Sequence, residues 1–451
     1  MSQAGGGWTL CIDFGTAYSK AAAAPSDAWA RFDPGLVRPL MLAGAEGEGN
    51  VFLLDSAVFV DDERVLFGPA AIARAEALTH KKRLALRSFK TLLSVSDLER
   101  ALNTSAPATI DPHRIFTMRD LIVLYLAYLL AAIARAVSAD PDLSEGAFDE
   151  RRYAAPAWRS GDSAGLHGVV VELFGEAEAL ADRMGEHLLA PQGLALAKVQ
   201  SALLAAQANP QRTEMGLIFE ATAAAAYSSI GLERSASHMI VVDVGAGTTD
   251  IAAMSRSGTR VKELPQARVT LKQAGDFIDG VIANLVLEAS PSLKTPAQQA
   301  ELWSTLMRHM HDIKESVFLD GRAVLRHERR TLEIKLGDLE RDKEFRDFGL
   351  DLAHAYDHSL DVVCKHAVAE GRREIQAIAV GGGSGAPFVQ DLMRRKPSGA
   401  RKVKIVGRPA TPEWAHTPVF GGNLAPVFPQ LAIAIGGALA PEEMLAVRAK
   451  A

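Results

Sequence analysis

Two short stretches of this chain place a carboxylate, a glycine turn and hydroxyl side chains directly after an apolar strand. They read Cys11-Ile-Asp-Phe-Gly-Thr-Ala-Tyr-Ser-Lys20 and Val242-Asp-Val-Gly-Ala-Gly-Thr-Thr-Asp250. Glycine permits a tight turn whose consecutive backbone N–H groups point into one concavity and can bind phosphate oxygens. The aspartate repels phosphate but can bind Mg²⁺ or its waters. Two such loops facing each other would clamp a polyphosphate, whereas the alternative interpretation is two ordinary glycine hairpins.

A third glycine-rich turn follows the buried strand Ile375-Gln-Ala-Ile-Ala-Val380 and reads Gly-Gly-Gly-Ser from Gly381. Such a turn lets the backbone approach a flat base or a ribose. It is not the dinucleotide fingerprint, because neither the strand–helix–strand context nor a trailing acidic residue is evident, and the chain contains no P-loop motif. A plain strand-to-helix turn is the alternative.

The elements that must position these turns are strands alternating with helices, which predicts an α/β protein. The recurrence of strand, aspartate, glycine and threonine in both parts of the sequence suggests two similar halves. Residues 72–93 are predicted to be helical and residues 408–429 to form a proline-rich loop. The apolar run 121–134 is short for a membrane span and predicts a buried core helix.

The composition is that of an ordinary globular protein: 451 residues, 48% hydrophobic and 23% charged. Lys and Arg number 49 against 54 Asp and Glu, a net charge of −5, so a nucleic-acid partner is not expected. Two cysteines are too few for a disulfide scaffold or a multi-cysteine zinc site. The first residues lack the basic and apolar regions of a secretory signal, so a cytoplasmic location is expected, with no membrane span.

In this order, the three turns resemble the actin–hexokinase–Hsp70 ATPase superfamily, and most of all the nucleotide-binding domain of Hsp70. Further resemblances to that domain lie in Arg87-Ser-Phe-Lys-Thr-Leu-Leu93, Ala155-Pro-Ala-Trp158, Glu220-Ala-Thr-Ala-Ala-Ala225, Gly275-Asp-Phe-Ile-Asp279 and Gln430-Leu-Ala-Ile-Ala-Ile-Gly-Gly-Ala-Leu439. The resemblance runs from Leu10 to about Leu439. It implies a two-lobed actin-like ATPase fold, in which duplicated ribonuclease-H-like domains enclose a central nucleotide cleft.

The resemblance also implies the domain organisation. Lobe I is expected over residues 8–236, with a small subdomain at about 48–118. Lobe II is expected over 237–428, with a small subdomain at about 280–336. A closing helix in 429–451 would return to lobe I.

By the same resemblance the cofactors are ATP or ADP and Mg²⁺, and the expected reaction is slow ATP hydrolysis. Asp13 and Asp243 would hold the hydrated metal ion. Lys90 would help to position the attacking water, Glu220 would orient it, and Thr248 with Asp250 would act near the γ-phosphate. The residues expected to bind the nucleotide are Asp13, Gly15, Thr16, Ala17, Asp243, Gly245, Gly247, Thr248, Gly275, Lys314, Gly381, Gly382, Gly383 and Ser384.

Some of these residues have alternative interpretations. Lys90 is otherwise a surface lysine, Glu220 an acidic residue favoured at a helix N-terminus, and Lys314 an exposed helix lysine. The chain also departs from the family pattern. Gly385 stands where the family has an arginine that stacks on adenine, and His311 stands where a glutamate would accompany the lysine, which weakens the expected adenine pocket. The remaining departures are Ala17, Ala221 and Ala246.

After Leu439 no interdomain linker or substrate domain of the Hsp70 type is expected. The leading functional prediction is therefore a nucleotide-driven conformational switch or chaperone-like factor, read by an unidentified protein partner. The alternative is an actin-like filament-forming ATPase that associates with itself. A small-molecule kinase of the same superfamily and a nucleotide-binding pseudo-enzyme are further alternatives.

Overall fold

The computed structural model carries seventeen strands and thirteen α-helices in the residues that it describes. The described residues are 7–43, 50–78, 81–87, 89, 97–156, 163–229, 238–257, 260–293, 295–327, 330–396, 403–416 and 424–448. In chain order the strands are β1 (Trp8–Asp13), β2 (Tyr18–Pro25), β3 (Arg38–Pro39), β4 (Leu54–Asp55), β5 (Val58–Val60), β6 (Arg64–Phe67), β7 (Phe148–Ala155), β8 (Leu194–Ala195), β9 (Gly216–Phe219), β10 (His238–Val244), β11 (Thr249–Ser257), β12 (Arg260–Glu263), β13 (Val269–Leu271), β14 (Arg322–His327), β15 (Arg330–Lys335), β16 (Glu374–Val380) and β17 (Lys404–Arg408). The helices are α1 (Gly68–Ala77), α2 (Leu98–Leu102), α3 (Met118–Ala139), α4 (Pro141–Ser144), α5 (Ser163–Met184), α6 (Leu196–Ala208), α7 (Glu220–Ser229), α8 (Gly275–Glu288), α9 (Pro296–Asp320), α10 (Leu336–Arg341), α11 (Lys343–Ala369), α12 (Pro387–Leu392) and α13 (Leu424–Leu439).

Two sheets share one plan. The first has the strand order β3-β2-β1-β7-β9, with β4 beside β2, and the second has the order β12-β11-β10-β16-β17, with β13 beside β11. In each sheet the first two strands of the repeated unit, β1 and β2 or β10 and β11, form an antiparallel hairpin. On its other side, β1 pairs in parallel with β7 and β7 with β9, just as β10 pairs in parallel with β16 and β16 with β17. The predicted α/β class and the two-lobed actin-like plan are confirmed.

The central strands of both sheets are buried because their sequences are apolar on both faces. All seven residues of β10 are buried, and so are five of the six in β1. Parallel strands covered on both faces show this continuous apolar pattern, unlike half-exposed strands. Both hairpins therefore start from a rigid, buried strand that ends in an aspartate or one residue beyond it.

Helices α7 and α13 lie between the two sheets and share one core with both. That core combines Cys11 and Ile218 of the first sheet with Val241 and Ile378 of the second. The two helices approach closely: a Cβ on Gly436 of α13 would stand 1.9 Å from a backbone oxygen of α7. Small residues at this crossing let both helices fit between the sheets.

The closing helix begins at Leu424, before the position expected from the sequence. The prediction of a loop over 408–429 is therefore wrong at both ends, because its first residue ends β17 and its last six belong to α13. Pro429 lies inside the helix, where proline normally disfavours helix because it lacks an N–H donor. Burial of the helix between the sheets outweighs that local preference.

The helix expected over 72–93 is interrupted in the structure, as far as the described residues show; residues 79, 80, 88 and 90–93 lie outside them. Helix α1 ends at Ala77, and residues 81–87 form a turn and an extended segment. Leu86 pairs with Val58 of β5 through two backbone hydrogen bonds of 2.8 and 3.0 Å. This pairing extends the edge of the small sheet β5-β6-β8 and competes with continuation of the helix.

Helix α3 is the core helix of the first lobe. Thr117 and Asp120 form a capping box at its start, and residues 121–133 are all buried. By length and composition alone this helix could cross a membrane, but its buried apolar residues belong to the core of the lobe. The predicted buried helix over 121–134 agrees with this placement.

Candidate functional site

The first phosphate-loop candidate is the turn between β1 and β2, and neighbouring backbone holds it tightly. A Cβ on Gly15 would stand 2.2 Å from the carbonyl oxygen of Tyr18, so this close approach requires glycine. Ser56, which follows β4, also holds the turn in place. Its backbone N–H donates to the Ala17 oxygen and its hydroxyl donates to the Gly15 oxygen, both at 2.9 Å. The predicted residues Gly15, Thr16 and Ala17 therefore belong to one rigid turn.

Asp13, at the end of β1, is 1% exposed and lies directly opposite Lys20 in the hairpin register. The Lys20 Nζ atom donates to Oδ2 of Asp13 at 2.6 Å. Oδ1 of Asp13 is buried and has no hydrogen-bond partner among the described residues. Sequence analysis missed Lys20 as a site residue. The pairing of Lys20 with Asp13 could have been predicted, because a short hairpin places the residues on either side of its turn opposite each other.

The second phosphate-loop candidate repeats this turn between β10 and β11, with different charges. The Gly245 N–H donates to the Thr248 oxygen at 3.0 Å, which closes the turn. Asp243 lies opposite Asp250 in the register, where the first hairpin pairs Asp13 with a lysine. The Asp250 carboxylate, 6% exposed, accepts hydrogen bonds from the hydroxyls of Thr248 at 3.0 Å and Thr270 at 2.5 Å. The second loop is thus the more acidic of the two.

The start of α8 packs against the second loop. The N–H groups of Gly275 and Asp276 donate to the carbonyl oxygens of Gly245 and Ala246 at 3.2 and 2.8 Å. Lys314 of α9 reaches the same place, with its Nζ 3.4 Å from the Gly275 oxygen. Lys314 also pairs with Asp279 at 2.6 Å. The structure therefore brings Gly275 and Lys314 together beside the second loop.

The third glycine turn packs against the end of β10. Gly381 has a φ of +84°, and a Cβ there would stand 2.5 Å from both Oδ1 of Asp243 and the oxygen of Val244. The Gly383 N–H donates to that Val244 oxygen at 3.0 Å. The Gly381 N–H donates to the Pro429 oxygen at 2.8 Å, which ties the turn to α13. This turn and the second phosphate loop form one continuous surface.

Electrostatic interactions connect the two lobes. Burial raises the pKa of Asp276 beside the second loop, and the positive charge of Arg87 opposes that shift. Burial also raises the pKa of Asp55 in the first sheet, and Arg87 again opposes it. Arg87 therefore lies within electrostatic reach of both lobes. A further cross-lobe ion pair joins Glu76 of α1 and Arg308 of α9 at 3.5 Å.

The remaining predicted residues occupy different places. Glu220 is 1% exposed and is the first residue of α7, directly after β9. Lys90 lies outside the described residues. Gly385 is exposed, and a Cβ there would meet nothing within 4 Å, while His311 is exposed on α9. The structure thus leaves open space where the family pattern has an arginine.

The donor set suits a hydrated magnesium ion bound with a polyphosphate. Mg²⁺ prefers carboxylate and phosphate oxygens and keeps several waters. The buried Oδ1 of Asp13 supplies an oxygen without a protein hydrogen bond, and Asp243 supplies a second carboxylate at the equivalent strand position. The two turns beside these carboxylates add backbone donors for phosphate.

Comparison with known proteins gives a local relationship. No family model matches the chain. The actin-like protein MamK of Paramagnetospirillum magneticum is 46% identical over 55 residues, which are 12% of this chain and 15% of that protein. The actin-like protein MamK of Magnetospirillum gryphiswaldense is also 46% identical over 55 residues, or 14% of its length. The match therefore covers a small part of each relative, and it points to the actin/Hsp70 ATPase superfamily without favouring Hsp70.

Proposed function

We propose that this chain is an actin-like ATPase that binds ATP between its lobes and hydrolyses it to ADP and phosphate. The observation that carries the proposal is the repeated hairpin, because both lobes end a buried strand at a carboxylate beside a tight glycine turn. An ordinary pair of hairpins gives no reason to bury Asp13 with one oxygen lacking a hydrogen bond. The local similarity to actin-like proteins agrees with this interpretation.

Different residues would bind the phosphates, the nucleoside and the metal ion. Backbone N–H groups of the turns at 14–17 and 246–248 would donate to phosphate oxygens, and Lys20 would add a positive charge at the first turn. The glycine turn from Gly381 to Ser384 would receive the nucleoside, with Lys314 near it. Asp13 and Asp243 would hold hydrated Mg²⁺, which offsets phosphate charge when it is bound.

Hydrolysis requires a water molecule positioned in line with the bond that breaks. Glu220 is suited to orient that water, since its carboxylate is buried at the start of α7, between the sheets. Lys90 is proposed to stabilise the developing charge. Thr248 and Asp250 would fix the shape of the second loop near the γ-phosphate through their mutual hydrogen bond.

The local similarity to actin-like proteins favours a role in which copies of this ATPase associate with each other. Assembly would then couple to the nucleotide, since closure of the lobes changes the surfaces that copies present to each other. The second candidate is a monomeric switch, cytoplasmic and read by a different protein partner. The cross-lobe pair of Glu76 and Arg308 is compatible with it, because lobe opening would break that contact.

The test is ATP hydrolysis per chain across a wide range of protein concentrations, with magnesium present. Asp13→Asn should abolish turnover, whereas Asp27→Asn, an exposed aspartate beyond the far end of the same hairpin, should keep it. A rate per chain that climbs with concentration favours the assembling ATPase, and a flat rate favours the monomeric switch. Turnover that is equal in wild type and Asp13→Asn would refute the proposed site.

A further inference from the structure

A second cluster of ligating side chains lies in the second lobe, away from the turns. His238 is the first residue of β10, whereas His366 and Glu370 lie one turn apart at the end of α11. His238 Nε2 is 2.9 Å from His366 Nδ1 and 3.5 Å from Oε2 of Glu370, whereas His366 Nδ1 is 3.5 Å from the other carboxylate oxygen, Oε1. The three donor groups thus converge on one point from two separate elements.

The spacing of the donor groups is close to that of a tetrahedral site. Zinc binds imidazole nitrogen at about 2.0–2.1 Å and carboxylate oxygen at about 2.0–2.2 Å, so tetrahedral donors stand roughly 3.3 Å apart. The nitrogen–nitrogen separation of 2.9 Å and the two nitrogen–oxygen separations of 3.5 Å, one to each oxygen of Glu370, lie on either side of that value. One ligand atom from each of the three groups lies within 4.8 Å of the others, and the half-exposed Glu370 side chain has space to turn a single oxygen toward both nitrogens.

The donor chemistry selects the class of ion. Two imidazoles and one carboxylate suit zinc and its first-row neighbours, whereas magnesium and calcium prefer all-oxygen sites. His238 is 2% exposed and held by the strand, while the side chains of His366 and Glu370 are 38% and 47% exposed. The solvent side therefore leaves room for a water as fourth ligand. The charge of Arg372, which acts on His238, opposes a cation, and the carboxylate of Glu370 offsets it.

The cluster is separate from the proposed nucleotide site. His238 and Asp243 stand near opposite ends of β10, and five residues of strand span about 17 Å. We infer that His238, His366 and Glu370 form a binding site for a divalent transition-metal ion of the zinc class. Such an ion would fasten the start of β10 to the end of α11 and so hold the second lobe together. A hydrogen-bonded histidine pair without metal is the competing interpretation.

The experiment is calorimetric titration of zinc chloride into the metal-free full-length chain, without nucleotide. One high-affinity zinc per chain is expected, with a rise in melting temperature on binding. His366→Ala and Glu370→Gln should each lower the affinity by about a hundredfold, because each removes one of three protein ligands. His354→Ala is the matched control, since His354 is exposed on the same helix outside the cluster.

Cobalt(II) gives a second, spectroscopic readout. A histidine pair that binds no metal and only stabilises the fold would not produce it. Cobalt bound by two imidazoles and a carboxylate in a tetrahedral site should show an intense visible absorption, which His366→Ala removes. Equal zinc affinity in wild type and His366→Ala would overturn the inference, as would an equal loss in His354→Ala. Absence of high-affinity zinc from folded wild-type protein would also overturn it and leave the histidine pair. None of these outcomes depends on ATP hydrolysis.

Discussion

Replacing Gly381 with alanine tests how closely the third glycine turn is fitted to the carboxylate of Asp243. Gly381 has a φ of +84°, a conformation that an L-amino acid adopts at a cost of about 1–2 kcal/mol. The added Cβ would also stand 2.5 Å from Asp243 Oδ1, whereas ordinary contact begins at 3.4 Å. The same Cβ would stand 2.5 Å from the backbone oxygen of Val244, so the turn must move by roughly 1 Å relative to the end of β10, which carries Asp243.

That movement should affect function more than stability. We expect the free energy of unfolding to fall by about 2 kcal/mol, mostly from backbone strain. A displacement of about 1 Å in a positioned group can lower turnover about a hundredfold. Because Asp243 is proposed to hold the hydrated metal ion, ATP turnover should fall by that factor even at saturating ATP.

The assay combines urea denaturation with steady-state ATP hydrolysis on the same preparations. Gly385→Ala is the matched control: it lies in the same turn without a positive φ, and its Cβ would meet nothing within 4 Å. It should change turnover by no more than about twofold. Wild-type turnover in folded Gly381→Ala, or an equal loss in Gly385→Ala, would contradict a close fit between this turn and Asp243.

Three further predictions test other contacts, one of them with a control substitution. Lys20→Met leaves the Asp13 carboxylate buried without its 2.6 Å partner, so urea denaturation should show a loss of about 3 kcal/mol. Gly436→Ala places a Cβ 1.9 Å from a backbone oxygen of α7 and should cost about 3 kcal/mol, whereas Gly280→Ala in open space should gain up to about 1 kcal/mol. The pKa of Asp276 is raised, first by burial and then by a neighbouring carboxylate, so its ionisation opposes folding. Urea denaturation should show Asp276→Asn gaining stability over wild type as the pH rises from 3.8 through the raised pKa; a gain independent of pH would contradict this.

The hairpins could be predicted from the sequence because their determinants are local. An apolar run marks each buried strand, and glycine marks the turn that must follow it. The repeated order of Asp13 and Asp243 with their glycines then predicts equivalent halves. Both sheets realise that expectation with the same strand order.

What the sequence did not reveal depends on distant contacts. Leu86 pairs with Val58 in place of extending a helix, and α13 includes Pro429 because two sheets bury it. The partners of Lys314 come from the start of another helix. His238 contacts His366 only because the fold brings the start of a strand beside the end of a helix. The residue spacing within either segment does not predict this contact.

The position of α13 between the sheets bears on the order in which the chain acquires structure during its synthesis. Helix α13 packs against β1 and β2, which precede it by about 400 residues in the chain. At a synthesis rate of roughly 5–20 residues per second, α13 is made tens of seconds after β2, so the alanine-rich face of β2 stays uncovered for that time. The nascent chain therefore exposes an apolar surface until α13 has been made. Shielding of that surface on the ribosome would then govern the yield of folded protein, and fragments that stop before Leu424 should aggregate.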